Sequence, residues 1–288
     1  GLAFVAMWRS AFTSAHIVVA YAPPFLALSA RFLISGLLAL GVGLASGQRI
    51  HLTRAQWGAV VTFGVCQNAL YLGLNFKAMQ TLDAGLAAVI ASLLPLIVAA
   101  LGRLFFGERL SLLGLAGLVA GFGGVLVVML ARLGHGADLL GVALCLVGVL
   151  ALSTATLLLR GASSGGNLWI IVGLQMLVGC VALFPAAWFL EDWTVSWSAP
   201  LGWAFLYTVL VPGVAATMIW FVRGGRIGAT RASTFHFLNP FFGLATAALI
   251  LGERVTGRDL IGVGIIMAGI LAVQVSRLAP ARPDAPGA

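Results

Sequence analysis

"FFGERL" at residues 105 to 110 sets an acid and a base directly after a long apolar run, and "ILGERV" at residues 250 to 255 repeats the device at the end of a later one. Laying the chain on itself at an offset of 145 puts Gly107-Glu108-Arg109 on Gly252-Glu253-Arg254, Pro95 on Pro240, Gly117 on Gly262 and Gly124 on Gly269. Fainter matches run upstream, with Phe76 on Phe221, Ala84 on Ala229, Ala87 on Ala232 and Leu93 on Leu238. Self-similarity at a fixed offset marks a duplicated unit. Taken alone, each Gly-Glu-Arg triplet also fits a helix C-cap followed by a solvated turn.

The duplicated unit belongs in a bilayer. A chain of 288 residues that is 61% hydrophobic and 8% charged has too little polar surface to cover a water-soluble globule. Its apolar runs are about 20 residues long, the length that crosses a hydrocarbon core of about 30 Å as a helix. Period-two alternation of the β-barrel kind is absent from them. In order, the runs predict helices over 2–21, 24–45, 56–76, 83–104, 111–131, 137–159, 167–189, 200–222, 229–250 and 257–277. Pro23 and Pro24 force the turn between the first two. The first run reads as a retained helix, since it lacks a basic start and carries Arg9, Ser10, Thr13, Ser14 and His16.

The expected fold is therefore an all-α membrane protein with ten transmembrane helices arranged as two inverted five-helix repeats, 1–133 and 137–278, followed by a disordered Pro-rich tail over 279–288. The inversion follows from the odd number: after five crossings the second unit begins on the opposite side of the membrane. The two Gly-Glu-Arg loops then face opposite compartments. Such repeats are the sequence mark of secondary transporters, because two similar halves related by an in-plane axis can open alternately to each side.

The net charge of +8 is spread over loops instead of forming an aromatic-studded patch, which argues against nucleic acid. Orientation accounts for it better. With the N-terminus cytoplasmic, the inner loops and tail hold Arg49, Arg54, Arg103, Arg109, Arg160, Arg223, Arg226, Arg277 and Arg282, against Lys77, Arg132, Arg254 and Arg258 outside. Both ends of the chain then lie inside, and the Trp-rich loop "LEDWTVSW" lies outside as part of an aromatic belt. Cys66, Cys145 and Cys180 fall within apolar runs and read as free thiols. No G-x-x-x-x-G-K phosphate loop and no Cys/His cluster of metal-site spacing occurs, so no cofactor, metal or catalytic site is read.

Polar residues inside the runs are the functional candidates, since ionisable and amide groups at membrane depth are costly. Arg9, Thr13 and His16 form one stripe of the first helix beside Trp8. Gln67, Asn68, Tyr71 and Asn75 crowd the third as a polar wall, with hydrogen bonding between helices as the competing reading. In the sixth run Ser153, Thr154 and Thr156 either line a cavity or bond to their own backbone. The ninth offers Ser233, His236 and Asn239 next to Pro240, and Pro95 occupies the equivalent place in the fourth beside a smooth wall of Ala84, Ala87, Ala88 and Ala91. Each proline frees a backbone carbonyl, making the fourth and ninth helices the expected bending, and hence gating, elements. Arg31 and its counterpart in the second repeat, Gln175, each read as engaged in structural hydrogen bonds, and Gly117 and Gly121 as a close-packing seam within the first half. Every carboxylate falls in a loop, at a helix end or in the tail, which leaves His16 and His236 as the available proton carriers.

These residues resemble the drug/metabolite transporter superfamily in its EamA-type ten-helix branch. The resemblance is carried by Pro95 in "ASLLPLIVAALGRLFFGERL", Pro240 in "FHFLNPFFGLATAALILGERV", the glycine runs "GLAGLVAGFGGVLVV" and "GVGIIMAGILAV", "ARFLISGLLAL" at 30–40 and "MWRSAFTSAH" at 7–16, and it spans nearly the whole chain. Arg9 departs from the small residue usual in that branch, and His16 from a frequent Lys. Within the branch the chain looks most like YddG-like bacterial exporters of aromatic and other neutral amino acids. That resemblance implies a bacterial inner-membrane carrier, not an enzyme, that exports small metabolites by alternating access. It acts as a monomer or weak dimer, with a small-molecule substrate and the lipid bilayer as partners. The rival readings are export of drugs, quaternary cations or nucleosides, a non-transporting accessory subunit, and an intramembrane enzyme built on Ser233 and His236.

Overall fold

The computed structural model describes residues 2–134, 138–159, 165–215 and 235–278; of residues 2–10, 215, 235, 236, 239 and 278 it describes the backbone. Helix α1 (Leu2–Tyr21) and α2 (Pro24–Ala45) meet at the expected Pro23-Pro24 turn, where Pro24 opens α2 at a position whose N–H would have no intrahelical partner anyway. Helix α3 (Arg54–Phe63) starts on a reciprocal capping box. The Gln56 N–H donates to Thr53 Oγ1 at 3.2 Å, and the Thr53 N–H donates to Gln56 Oε1 at 2.9 Å. It continues through a π-helical segment, Gly64–Leu72, into α4 (Gly73–Ala78).

Next come α5 (Ala84–Ala91), α6 (Leu94–Phe106), α7 (Leu112–Leu133), α8 (Leu139–Leu158), α9 (Leu168–Leu190) and α10 (Ala199–Thr208). A second π-helical segment, Val209–Ala215, follows α10. The described chain resumes with a 3₁₀ turn, Phe235–Leu238, then α11 (Asn239–Leu251) and α12 (Gly257–Leu278). Among the described residues there is no strand, and seven helical stretches are long and apolar enough to cross a membrane, with three shorter apolar ones beside them. Large side chains such as Leu112, Val119, Val181, Trp197 and Leu249 point outward, as a lipid-facing surface requires. Trp188 and Trp193 stack edge-on at 5.0 Å beside Phe184 at the end of α9.

Two predicted helices are not continuous. The run 83–104 breaks at Ser92 and Leu93, so Pro95 sits in the first turn of α6 instead of bending one helix. Pro240 takes the same position in α11, directly after the 3₁₀ turn. The physical reason is shared: proline lacks the N–H and its ring crowds the preceding turn, so the chain restarts a helix at each. Both Gly-Glu-Arg glycines are left-handed C-caps, Gly107 at φ +65° and Gly252 at φ +69°. The following amide folds back in each case, with Glu108 N–H donating to Gly102 O and Glu253 N–H to Ala247 O, which is the capping role expected of the triplet.

Packing brings together the helices that the 145-residue offset pairs. In α7 and α12 a Cβ on Gly117 would lie 2.8 Å from Gly269 O, and one on Gly262 would lie 2.9 Å from Gly124 O. Under the offset these two contacts are the same contact seen from the other side, and the two helices run antiparallel. In the runs that hold Pro95 and Pro240, α5 from the first half of one is antiparallel to α11 from the second half of the other, with Gly85 beside Ala247 and Ala88 beside Gly243. So is α2 against α9, where Gly43 meets Ile170 and Gly36 meets Leu177. Gly117 therefore packs across this seam and not within the first half, because glycine's missing side chain lets two backbones approach, whichever helix supplies the second. The alanine wall of α5 is buried against α11.

Candidate functional site

The two Gly-Glu-Arg loops lie at opposite ends of α7. Glu108 precedes its N-cap, Ser111, and accepts a bond from Arg277 Nη2 at 3.0 Å. At the other end, 22 residues or about 33 Å away, Arg132 in the last turn bridges Asp83 (2.9 Å) and Asp259 (3.1 Å). Asp259 is wholly buried and also accepts from the Thr256 N–H at 2.8 Å and the Thr256 hydroxyl at 2.9 Å. Next to them Glu253 accepts from the Gly85 N–H at the start of α5, at 3.1 and 3.3 Å to its two oxygens. Burial first, then the Asp83 charge, pushes the Glu253 carboxyl above the usual glutamate range; the Gly85 and Ala84 amides and Arg132 only partly offset this. The described carboxylates occupy loops and helix ends as expected, yet Asp259 is fully enclosed.

Gln67, Asn68 and Tyr71 of the third run's polar wall fall on the π-helical segment, where the helix is wider than an α-helix, and Asn75 falls on α4. Asn68 Nδ2 donates to Gln175 O of α9 at 2.8 Å, so this amide is engaged in helix-to-helix bonding. Asn75 Nδ2 donates to Tyr71 O at 2.7 Å, while Asn75 Oδ1 is buried with no donor. Tyr71 is buried and Gln67 half-buried. In α1, Thr13 Oγ1 and His16 Nδ1 are likewise buried without a partner. Ser153 is fully buried, and its hydroxyl donates to Val149 O at 2.7 Å; Thr154 and Thr156 bond their own helix in the same way. These hydroxyls are thus absorbed by their own backbone.

The side chains of Trp8, Arg9, His236 and Asn239, and Ser233 altogether, lie outside the described residues. Among the described residues no group of three His, Cys, Asp or Glu side chains is placed to hold a metal ion. Arg31 differs from its expected role. It is 5% exposed, and its Nε is a buried donor without an acceptor. The sequence, "ARFLIS", shows the charge inside an apolar run, and the missing partner shows only in three dimensions.

The EamA-like transporter family matches this sequence over residues 1–130 and 139–274. The chain belongs to that family. As an EamA-like transporter it is 28% identical to "Uncharacterized transporter YvbV" of Bacillus subtilis, over 94% of this chain and 90% of that one. It is 27% identical to a Salmonella typhimurium protein named "Probable amino-acid metabolite efflux pump", over 93% and 91% of the two chains. A protein of known crystal structure shares its fold with a TM-score of 0.70 at 18% identity, covering 98% of this chain and 97% of the other. This EamA-like transporter is accordingly a multi-pass membrane protein whose business is moving a small molecule.

Proposed function

We propose that the chain exports small metabolites, amino acids with aromatic or large apolar side chains foremost, across a bacterial inner membrane by alternating access of two inverted five-helix halves. The reading rests above all on the antiparallel pairing of offset-equivalent helices, with the Gly117–Gly269 and Gly124–Gly262 contacts as reciprocal images. An in-plane pseudo-two-fold axis generates such pairs, and the same axis makes an outward-open and an inward-open state alike in energy. The helix restarts at Pro95 and Pro240 supply the bending points, and the end closed by Glu253 on Gly85 is a shut gate. Thr13, His16, Gln67 and Tyr71, together with Trp8, Arg9, Ser233, His236 and Asn239, line the path, while Asn68 holds the third run to α9 beside it. The name borne by the Salmonella relative supports the amino-acid class, and the arginine distribution supports a cytoplasmic start.

The test is exchange in proteoliposomes. Vesicles holding purified protein and unlabelled L-phenylalanine should take up labelled L-phenylalanine, with competition by other large neutral amino acids and none by nucleosides or quaternary cations. Competition by those cations alone would move the substrate class to drugs. Absence of exchange with any of them would favour the accessory-subunit reading.

A further inference from the structure

Arg31 lies seven residues into α2, about 10 Å along the helix axis from its start and well inside the hydrocarbon depth. Only 5% of it is exposed, so it cannot snorkel to an interface. An arginine in that position ordinarily meets a carboxylate, because a buried charge is tolerated when paired and hydrogen-bonded. The described carboxylates of this chain are committed elsewhere. Asp83 and Asp259 hold Arg132, and Glu108 holds Arg277. Glu191 accepts from the Phe25 and Leu26 amides at 2.9 Å each, Glu253 from Gly85, and Asp138 from Thr81 and the start of α8. Asp192 is exposed in the loop after α9. What remains to Arg31 is the ring of its neighbour Phe32, 5.5 Å from the guanidinium carbon.

We infer that Arg31 is the receptor for the carboxylate of the transported substrate. One turn further along α2, the fully buried Ser35 donates to Val209 O at the head of the second π-helical segment, so this stretch of the helix faces irregular backbone and not lipid. Helices α1, α2 and α4 touch one another pairwise, and the other two bring buried polar atoms without partners: Thr13 Oγ1 and His16 Nδ1 from α1, and Asn75 Oδ1 from α4. An orphan cationic donor on one helix and orphan polar atoms on the two helices that touch it suit a ligand that carries an anionic carboxylate and a hydrogen-bond donor, as an α-amino acid does. Planar guanidinium matches carboxylate geometry in two parallel bonds, so the site selects carboxylate over its neutral amide. This inference rests on the transport reading above and narrows its substrate class.

Binding to the purified, detergent-solubilised protein tests it without any transport step. Thermal unfolding is followed with 3-phenylpropionate against 3-phenylpropionamide, benzoate against benzamide, and L-phenylalanine against L-phenylalaninamide. The wild type should be stabilised by at least one carboxylate at concentrations at least about tenfold below those its amide needs. Arg31→Gln should abolish that preference, and Arg31→Lys should keep part of it. Arg31→Met, free of ligand, should melt at or above the wild-type temperature, because it removes an unpaired buried charge. If no carboxylate outperforms its amide on the wild type, the inference fails whatever the variants do. A wild-type preference kept by Arg31→Gln also overturns it, as does an Arg31→Met variant that melts lower, since the arginine would then be structural. Transport is scored separately: exchange without carboxylate preference spares the transport reading and sinks the receptor, whereas carboxylate preference without exchange does the reverse.

Discussion

The carboxylate of Glu253, one residue past the left-handed cap of α11, accepts the amide of Gly85 in the first turn of α5, 168 positions earlier in the chain. It ties together the two helices that Pro95 and Pro240 interrupt. The bond joins an anion to the positive end of a helix whose own N-cap residue, Asp83, makes no side-chain cap. Glu253→Ala should therefore cost about 1 kcal/mol of stability, the usual worth of a lost cap. In the same variant a water-soluble thiol reagent should reach a cysteine at position 85 faster than in a Glu253 background. An unchanged labelling rate would show that the contact closes nothing.

Acidity acts on two carboxyls in opposite senses. Because Glu253 has a raised folded-state pKa, the folded chain holds its proton longer than the unfolded one, so stability declines as pH climbs from the ordinary glutamate value through the raised one. Asp138 is held below its usual value, first by the Thr81 hydroxyl and then by the Leu140 amide. Its contribution is present above the ordinary aspartate pKa and is lost as pH falls through the lowered one. Melting curves between pH 3 and 8 should show Glu253→Gln gaining on the wild type as pH rises, and Asp138→Ala losing most of its deficit in acid. A wild type that gains on Glu253→Gln with rising pH would contradict the burial assigned to that carboxyl.

The glycine seam is testable by size alone. A Cβ on Gly269 would lie 2.6 Å from both Gly117 O and Gly121 N, atoms of backbone that cannot swing aside. Gly269→Ala should destabilise by about 1–3 kcal/mol, the range for overpacked cores. Gly123→Ala, which meets nothing within 4 Å, should leave the melting temperature unchanged or raise it. Equal effects of the two would mean that the close approach of α7 and α12 is not structural.

Much of this was legible in the sequence because apolar run length and proline placement are local signals. The bounds of α7 and α9 fall within two residues of the runs 111–131 and 167–189, and both Gly-Glu-Arg glycines cap as their spacing suggests. What escaped was three-dimensional. The break at Ser92 and Leu93 depends on how the turn before Pro95 packs, and hydrophobicity does not register it. The π-helical segments at Gly64–Leu72 and Val209–Ala215 begin 145 residues apart, yet the first carries no compositional mark, and Pro212-Gly213 in the second lies inside an otherwise apolar run. Asn68 looked like a cavity amide, but its partner is a backbone carbonyl 107 positions away. Arg31 looked structural for the converse reason: a sequence shows a charge but not whether its counter-charge is within reach.

Flexing at the interrupted helices should set turnover. Pro95→Ala restores an amide donor and lets α5 run into α6, so exchange should slow several-fold while the protein stays folded. Pro240→Ala should do the same from the other half. A pair of variants that exchange at wild-type speed would remove these prolines from the gating account.

Transport should run down the substrate gradient in either direction and need no ion gradient, since the enclosed carboxylate Asp259 is locked on Arg132 at a helix end. Proteoliposomes at matched and at opposed pH, with the potential collapsed, should reach equal final levels of labelled L-phenylalanine. Uphill accumulation driven by the pH step, and abolished by His16→Gln, His236→Gln or Glu253→Gln, would make that residue a proton carrier and the protein a coupled exchanger.

Alternating access itself is tested most directly by two distances read together. In a background lacking Cys66, Cys145 and Cys180, spin labels at the exposed positions Gln80 and Arg258 report the end closed by Glu253, and labels at Arg49 and Arg109 report the other. Adding substrate to the protein in lipid nanodiscs should shift the two distance distributions in opposite directions, one pair gaining its longer separation as the other gains its shorter one. Both pairs widening together, or neither responding to a substrate that is shown to be exchanged, would contradict alternation of two inverted halves.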